Sequence, residues 1–226
     1  MLLTEKEVRD NLRNRAGKRV FYLGKGDQLS SSARDYLSRE RIEILPAEQA
    51  KPDRYRLLSG GYLEEKPEHM THLNGEFLVP KTHPRIAFRG MVDTLEAALL
   101  CCMGEVTRQK KVLQEILELT RRLIRCDVLN EPVGAVVLDG LDEQAQRRHS
   151  HFPQEYYGIP HFMPSAEDPP QVLALNWVRT LARQTELAAV RAFTDENGNP
   201  TRGDILQAMN RVSSMLYILM IREKSG

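Results

Sequence analysis

The segment Leu175–Val190, LNWVRTLARQTELAAV, decides the fold class of this chain. It contains no Gly or Pro that would break a helix, and it lies inside a helix predicted over about residues 170–194. Arg179 and Arg183 stand four residues apart on this helix, one turn above each other. Like charges at this spacing cost a few tenths of a kcal/mol on an isolated helix. Either the two guanidinium groups are solvated or an anion lies against them.

Other long segments after Pro84 also have a helical pattern. PRIAFRGMVDTLEAALLCCMGEV begins with Pro near a helix start, and RQKKVLQEILELTRRLIRCDVL places its large apolar residues on one stripe. The last segment, DILQAMNRVSSMLYILMIREK, is apolar around nearly its whole circumference. Long helices joined by short turns form bundles. The chain is therefore predicted to be mainly α, a bundle of about five helices.

The N-terminal residues have a different character. A polar helix, the strand RVFYL, a Ser-capped helix and the strand RIEIL follow one another within about residues 1–47. Pro and Gly then interrupt every periodic pattern as far as Pro84. We predict a small α/β extension at residues 1–50 and a helical-bundle domain at 51–226 that begins with an irregular loop at 51–83.

The composition excludes several classes of protein. Lys and Arg number 32 against 31 Asp and Glu, so nothing in the totals favours nucleic-acid binding. An odd count of 3 Cys argues against a disulfide framework and for a reducing compartment. No apolar run reaches the roughly 18 to 20 residues of a membrane span. The start MLLTEKEVRD lacks the apolar core of a signal peptide. A soluble cytoplasmic protein without a membrane segment is expected.

Several polar residues in these helices are candidates for a site. Asn210 and Ser213 fall on the apolar last helix, where they are either hydrogen-bonded interior groups, part of an oligomer interface, or the lining of a polar pocket. Asp93 lies near a helix start, where an acid ordinarily interacts with the macrodipole. If it instead lay beside Arg179, then Arg183 would be free to bind a phosphate.

The segment EEKPEHMTHLNGEFLVPKTHP supplies further groups that bind phosphates. Thr71 and Lys81 lie there among backbone NH groups with no cue for regular structure, although a merely solvated basic loop explains them too. Its three His residues leave a metal site open as an alternative. Cys101 and Cys102 point about 100° apart on a helix and are interpreted as buried thiols.

Three motifs in order resemble those of the ATP:corrinoid adenosyltransferases. They are THLNGEFLVPKTHPRIAFRGMVDTLEAALL, VRTLARQTE and MNRVSSMLY, within about residues 66–222. The extra N-terminal unit and the residues of the first motif resemble the ethanolamine-utilisation branch most closely. The matching positions are Thr71, Lys81, Arg85, Gly90, Asp93, Arg179, Arg183, Glu186, Asn210, Arg211 and Ser213.

The resemblance implies a reaction and a set of roles. The family transfers the 5′-deoxyadenosyl group of ATP, with Mg²⁺, to cobalt(I) of cobalamin, and releases triphosphate. The implied catalytic residues are Asp93, Arg179 and Arg183, with Asp93 and Arg179 as a salt bridge. The implied ATP-binding residues are Thr71, Lys81, Arg85, Arg183, Glu186 and Asn210. An aromatic residue on the loop before the Arg helix excludes the lower cobalt ligand in relatives, and Phe162 stands in the comparable place.

The chain also departs from the family pattern. Some members of the branch carry a metal-binding Cys cluster before the first motif, whereas DRYRLLSGGYLEEKPEHM contains no Cys, so a variant without a metal cluster is implied. The phosphate-binding Thr-Gly-Asp-x-Gly segment of the wider superfamily is absent as well.

The resemblance further implies partners. A homo-oligomer with sites between subunits is expected, with a trimer favoured, together with a flavin-dependent reductase and ethanolamine ammonia-lyase, in the cytoplasm and in association with a microcompartment. Two other classes remain open: a non-catalytic ATP- or corrinoid-binding delivery or assembly protein, and a purely structural helical oligomer.

Overall fold

The computed structural model describes residues 1–15, 17–50 and 55–225. The chain divides into two compact units, Met1–Lys81 and Thr82–Gly226. Helices account for 54% of the chain, which confirms the mainly α class. None of the helices in the described residues is both long and apolar enough to cross a membrane.

The first unit is a mixed sheet with two short helices. Its strands are β1 (Leu2–Leu3), β2 (Arg13–Arg15), β3 (Lys18–Leu23), β4 (Gln28–Leu29), β5 (Glu43–Pro46), β6 (Tyr55–Leu57), β7 (Tyr62–Leu63), β8 (Met70–Asn74) and β9 (Phe77–Pro80), and its helices are α1 (Glu5–Asp10) and α2 (Ser31–Arg39). Seven strands pair in the order β5-β3-β2-β7-β6-β9-β8, and β1 pairs with β4. Val8, Phe21 and Leu37 are part of the small core beneath the helices.

The segment predicted as an irregular loop forms strands instead. Residues 55–80 contribute β6 to β9, and β7 pairs in parallel with β2, so these residues belong to the N-terminal unit and its end differs from the predicted residue 50. The predicted residues 51–54 of that loop lie outside the described residues. The strands are only two to five residues long, too short for alternation to show between the glycines. Gly61 has φ +83°, and an added Cβ would lie 2.5 Å from the Leu12 carbonyl oxygen, so a close strand approach requires glycine there.

The second unit is a helical bundle. Its helices are α3 (Pro84–Glu105), α4 (Lys110–Leu129), α5 (Glu143–His151), α6 (Pro153–Tyr157), α7 (Pro170–Ala192) and α8 (Gly203–Lys224). Pro84 occupies the first turn of α3, where its missing NH costs nothing, and His83 Nδ1 accepts the Arg85 amide at 3.2 Å. The prediction of about five helices missed α6, because its five residues lie within a Pro-rich segment.

The bundle is built around α8. α3 packs against α4 and α7, and α7 and α5 pack against α8. Residues from Ile205 to Ile221 are buried on nearly every side of α8, which matches the apolar circumference of its sequence. Each Å² of apolar surface that is buried stabilises the fold by about 25 cal/mol. Because most residues of α8 are buried, this helix is the main contributor to the core. The polar residues of α8 that remain accessible therefore lie where the neighbouring helices leave a gap.

Candidate functional site

A cavity of about 870 Å³ opens beside α7 and α8 in the helical unit. Its other walls come from the loop between α6 and α7 and from the end of α5. The side chains that matter chemically are Phe162, Arg179, Arg183, Glu186, Asn210 and Tyr217. Cavities of this size hold cofactor-sized ligands.

The α7 wall of the cavity is cationic. Arg179 is half-buried, and its Nε is buried without a hydrogen-bond acceptor among the described residues. Its guanidinium lies 5.2 Å from the centre of the Tyr217 ring. Burial lowers the pKa of Arg179, and the charge of Arg183 one turn away lowers it further. An anion in the cavity would relieve both effects, since it would supply the missing acceptor and the opposite charge.

Glu186 and Asn210 form the polar link between the two helices. Asn210 Nδ2 donates to Glu186 Oε1 at 2.9 Å, and Asn210 Oδ1 accepts from Arg211. Both Glu186 and Asn210 line the cavity. A carboxylate and an amide held in this way can direct hydrogen bonds to the hydroxyl groups or base of a nucleoside.

Phe162 lies on the loop side of the same cavity. Its ring is partly buried against the bundle core and stacks on Tyr217, with the ring centres 5.9 Å apart. Lys224 Nζ lies 4.3 Å from the centre of the Phe162 ring. The cavity therefore has a cationic wall on α7 and an aromatic rim on the loop.

A family model described as cobalamin adenosyltransferase matches residues 61–223. This chain belongs to that family.

Relatives agree with this membership, and a solved structure shares the fold. The chain is 35% identical to the corrinoid adenosyltransferase EutT of Escherichia coli K12 and 34% identical to that of Salmonella typhimurium LT2, each over 158 residues. The match covers 70% of this chain and 59% of each relative. A variant of a PduO-type ATP:corrinoid adenosyltransferase from Lactobacillus reuteri, complexed with cobalamin and ATP, shares the fold with a TM-score of 0.53 at 17% identity. The structural match covers 70% of this chain and 88% of the Lactobacillus reuteri chain.

The cobalamin adenosyltransferase motifs on α7 and α8 come together at the cavity. Arg179, Arg183, Glu186 and Asn210 all line it, although the last lies on a different helix from the others. Phe162, named for the corrinoid side, lines it too. With Ser213, which also lines it, six of the residues named from sequence share one cavity.

Asp93 does not join them within one chain. It is exposed on α3, and no ion pair links it to Arg179 among the described residues. The expected salt bridge is therefore absent within the single chain, because Asp93 points away from the packed surface of α3 on which Val92 and Leu95 lie.

Arg85 has a partner of its own. Its Nε donates to Asp127 Oδ1 at 2.8 Å and its Nη2 to the Asp127 carbonyl oxygen at 2.8 Å. Arg89 Nε donates to the other carboxylate oxygen of Asp127 at 2.7 Å. Asp127 is fully buried on α4, so Arg85 holds α3 to α4 and lies outside the cavity lining. An additional contact of Arg85 with ATP stays a prediction.

Thr71 and Lys81 lie in the N-terminal unit. Thr71 pairs with Val79 in the β8–β9 hairpin, and the Lys81 amide donates to the His69 carbonyl at 2.8 Å. The Lys81 side chain is exposed. Their role with triphosphate stays a prediction.

Tyr217 and His161 are among the cavity residues that the sequence reasoning missed. Tyr217 is inside the MNRVSSMLY motif, one turn after Ser213 and Ser214, and helical periodicity places it on the same face as Asn210. His161 directly precedes Phe162. Both signals are local, and only the bundle shows that the two side chains meet.

Metal ligands are not clustered in the described parts of the chain. No group of three or more His, Cys, Asp or Glu side chains there could hold an ion. Cys101 is exposed while Cys102 and Cys126 are buried. Burial raises the pKa of the Cys102 thiol to about 11, which keeps it protonated and unreactive. Exposed Cys101 departs from the predicted pair of buried thiols, because adjacent helix positions face different ways.

Proposed function

We propose that this protein transfers the 5′-deoxyadenosyl group of ATP to cobalt(I) of cobalamin, giving adenosylcobalamin and triphosphate. The observation that carries the proposal is the cavity wall on which Arg179 and Arg183 lie, with no ion pair to a carboxylate of the described residues. Family membership supports the same reaction. The matched region covers 59% of the curated relatives, so the activity is assigned here from the cavity and the motifs together.

The proposed reaction is a displacement at carbon. The electron pair of cobalt(I) forms the cobalt–carbon bond, the bond from the 5′ carbon to the triphosphate oxygen breaks, and its electron pair leaves with triphosphate. Cobalt becomes formally cobalt(III), and no proton is transferred, so no general base is needed. The protein contributes by holding the two substrates in line and by stabilising the charge that develops on the leaving group.

The residues of the cavity suit those tasks. Arg183 is the exposed cation of the α7 wall and is assigned to the triphosphate, while Asn210 and Glu186 are assigned to the nucleoside. Thr71 and Lys81 are proposed to add phosphate contacts from the first motif. Phe162 is assigned to the corrinoid, where its ring would occupy the space of the lower cobalt ligand.

Mg²⁺ is proposed to enter with ATP. The Glu186 carboxylate and the Ser213 hydroxyl are hard oxygen ligands of the kind that Mg²⁺ accepts, directly or through water. The ion supplies charge neutralisation for the phosphates, and the protein retains the task of orienting them.

We also propose a homo-oligomer, with a trimer favoured and with sites between subunits. Trp177, Leu187 and Leu100 are large apolar side chains exposed by 62%, 61% and 53% on α7 and α3, which suits a subunit contact. Asp93 of a second copy would then provide the carboxylate that Arg179 lacks in its own chain. Light scattering on the purified protein is expected to give a trimer, and a fully active monomer would contradict shared sites.

The biological setting is proposed from the resemblance to the ethanolamine-utilisation branch. Adenosylcobalamin would supply ethanolamine ammonia-lyase, a flavin-dependent reductase would supply electrons, and the protein would work in the cytoplasm beside a microcompartment. Co-purification with tagged lyase would support this setting.

One experiment tests the central proposal. The protein is incubated with ATP, Mg²⁺ and chemically reduced cobalamin, and the product is followed by its light-sensitive alkylcobalamin spectrum. We expect formation of adenosylcobalamin with one triphosphate released for each molecule. Binding of both substrates without product would instead indicate a delivery or assembly protein.

A further inference from the structure

The loop that carries Phe162 is fastened to α8 through one hydroxyl group. The Phe162 amide donates to the Tyr217 hydroxyl oxygen at 3.2 Å, and His161 Nδ1 lies 3.0 Å from the same oxygen. The His161 ring also stacks on the Tyr217 ring, with the ring centres 5.6 Å apart. Two consecutive loop residues therefore meet one side chain of α8.

The directions of these hydrogen bonds follow from their partners. His161 Nε2 lies 3.0 Å from the His151 carbonyl oxygen, which can only accept, so Nε2 carries a proton. In the neutral ring Nδ1 is then an acceptor, and the Tyr217 hydroxyl donates to it while accepting from the Phe162 amide. Removal of the Tyr217 hydroxyl would leave both His161 Nδ1 and the Phe162 amide without this hydrogen-bond partner.

The same tyrosine contacts both walls of the cavity. Tyr217 is 8% exposed, and its ring faces the Arg179 guanidinium as well as the loop. A second tie lies two turns further along α8, where Lys224 Nζ is 2.6 Å from Asp168 Oδ1. The stretch from His161 to Asp168 is thus held at both of its ends by α8.

We propose that Tyr217 is a positioning residue whose hydroxyl fixes the His161–Phe162 loop, so that the Phe162 ring keeps its place at the cavity. For catalysis, this inference rests on the proposed function, because it matters there only if Phe162 contacts the corrinoid. Tyr217 then sets how completely Phe162 displaces the lower cobalt ligand. The loop geometry itself is testable without any substrate.

The first test measures hydrogen exchange at the Phe162 amide in Tyr217→Phe, which keeps the ring and removes only the hydroxyl. Loss of one hydrogen bond is expected to speed exchange by about 2- to 10-fold. The matched control is Tyr157→Phe, because the Tyr157 hydroxyl also bonds a histidine Nδ1, that of His149 at 2.8 Å, but lies outside the cavity lining. Exchange at Phe162 that is unchanged in Tyr217→Phe would overturn the proposal.

The second test measures the coordination of cobalt(II)alamin bound with ATP, together with the rates from cobalt(II) plus reductant and from prereduced cobalt(I). In Tyr217→Phe the fraction of bound cobalt(II)alamin with a four-coordinate spectrum is expected to fall by about 2- to 10-fold. The rate from cobalt(II) plus reductant, divided by the rate from prereduced cobalt(I), is expected to fall by a similar factor. Tyr157→Phe is expected to keep the wild-type ratio. An equal loss of both rates in Tyr217→Phe would contradict a positioning role towards Phe162. If the wild-type protein forms no adenosylcobalamin, the proposed function fails, while the exchange result still decides whether the hydroxyl holds the loop.

Discussion

Arginines stand four residues apart on both α3 and α7, and the surroundings of these two pairs are opposite. On α3, Arg85 and Arg89 share the buried carboxylate of Asp127. On α7, Arg179 and Arg183 face a cavity, and Arg179 Nε has no acceptor in the described residues. The same sequence spacing thus serves a structural ion cluster in one place and a candidate anion site in the other. The available counter-charge distinguishes them.

Replacing the shared carboxylate should have the largest effect. In Asp127→Ala two arginines of α3 lose their partner inside the protein, which typically costs about 3–5 kcal/mol of unfolding free energy. Urea unfolding followed by the fluorescence of Trp177, the single Trp, reports on this unit. Glu118→Ala on the same helix is the control, because Glu118 is exposed and should change stability by less than about 0.5 kcal/mol. Equal stability of the two variants would show that Asp127 is not the counter-charge of the α3 pair.

Removal of an arginine from the α7 pair should affect activity more than stability. Arg183→Ala is expected to lower kcat/KM for ATP by about 100-fold, since a donor to a developing anion is lost. Arg191→Ala, an exposed arginine at the end of the same helix, should stay within about twofold of the wild type. Similar losses in the two variants would indicate general electrostatics rather than a site.

The loss of activity on removing Arg179 can be compared with the losses on removing its proposed partner and another arginine. Arg179→Ala and Asp93→Ala should each reduce adenosyl transfer more than Arg211→Ala, because a charge left without its partner is costly. All three are assayed with prereduced cobalamin. Equal activity in all three would contradict the assignment of this pair.

The aromatic rim should have a smaller and more selective effect than the cationic wall. Phe162→Ala is expected to lower the rate from cobalt(II) plus reductant relative to that from prereduced cobalt(I) by about tenfold, or about 1.4 kcal/mol. The two rates are measured under the same ATP and Mg²⁺ concentrations. Equal effects on both would argue against exclusion of the lower ligand.

The smallest effect is expected at a third arginine site, at the start of α8, and it concerns stability at low pH. Hydrogen bonding from Arg202 lowers the pKa of Asp204 to about 2, from an ordinary value of 3.8. A depressed carboxylate pKa contributes stability above the unfolded pKa, and this contribution is lost as the pH falls from about 4 to about 2. Because Asp204 is partly exposed, solvent screening reduces the contribution to about 1 kcal/mol. Asp204→Asn should remove this part of the acid-induced loss, measured by urea unfolding at pH 4 and pH 2, whereas Glu118→Ala should retain it.

The fold was predictable where the signals were long. Helices of about twenty residues such as α7 and α8 are predictable from their length and apolar pattern, and these helices predict a bundle. The strands β6 and β7 were not predictable, since segments of three and two residues show no measurable periodicity. Their place in the N-terminal sheet depends on pairing with strands distant in sequence.

The candidate site was predictable in part for a similar reason. Arg183, Glu186 and Asn210 belong to local motifs, and the cavity brings them together as the motifs suggested. The Asp93–Arg179 pair was not found in one chain, and Tyr217 went unnoticed, because each depends on which helix faces which. Burial and neighbours across helices are not encoded in any local spacing.

The sequence by itself determined the helices, the residues of the motifs and the spacing of both arginine pairs. Only the tertiary structure decided which pair is neutralised, because Asp127 lies 42 and 38 residues along the chain from Arg85 and Arg89 and reaches them only when α4 packs on α3. Where α7 packs against α8, no carboxylate of the described residues pairs with Arg179, and this unpaired charge leaves the cavity suited to an anion. Local sequence fixes where a cation stands on its helix, whereas packing fixes the dielectric and the counter-charge around it.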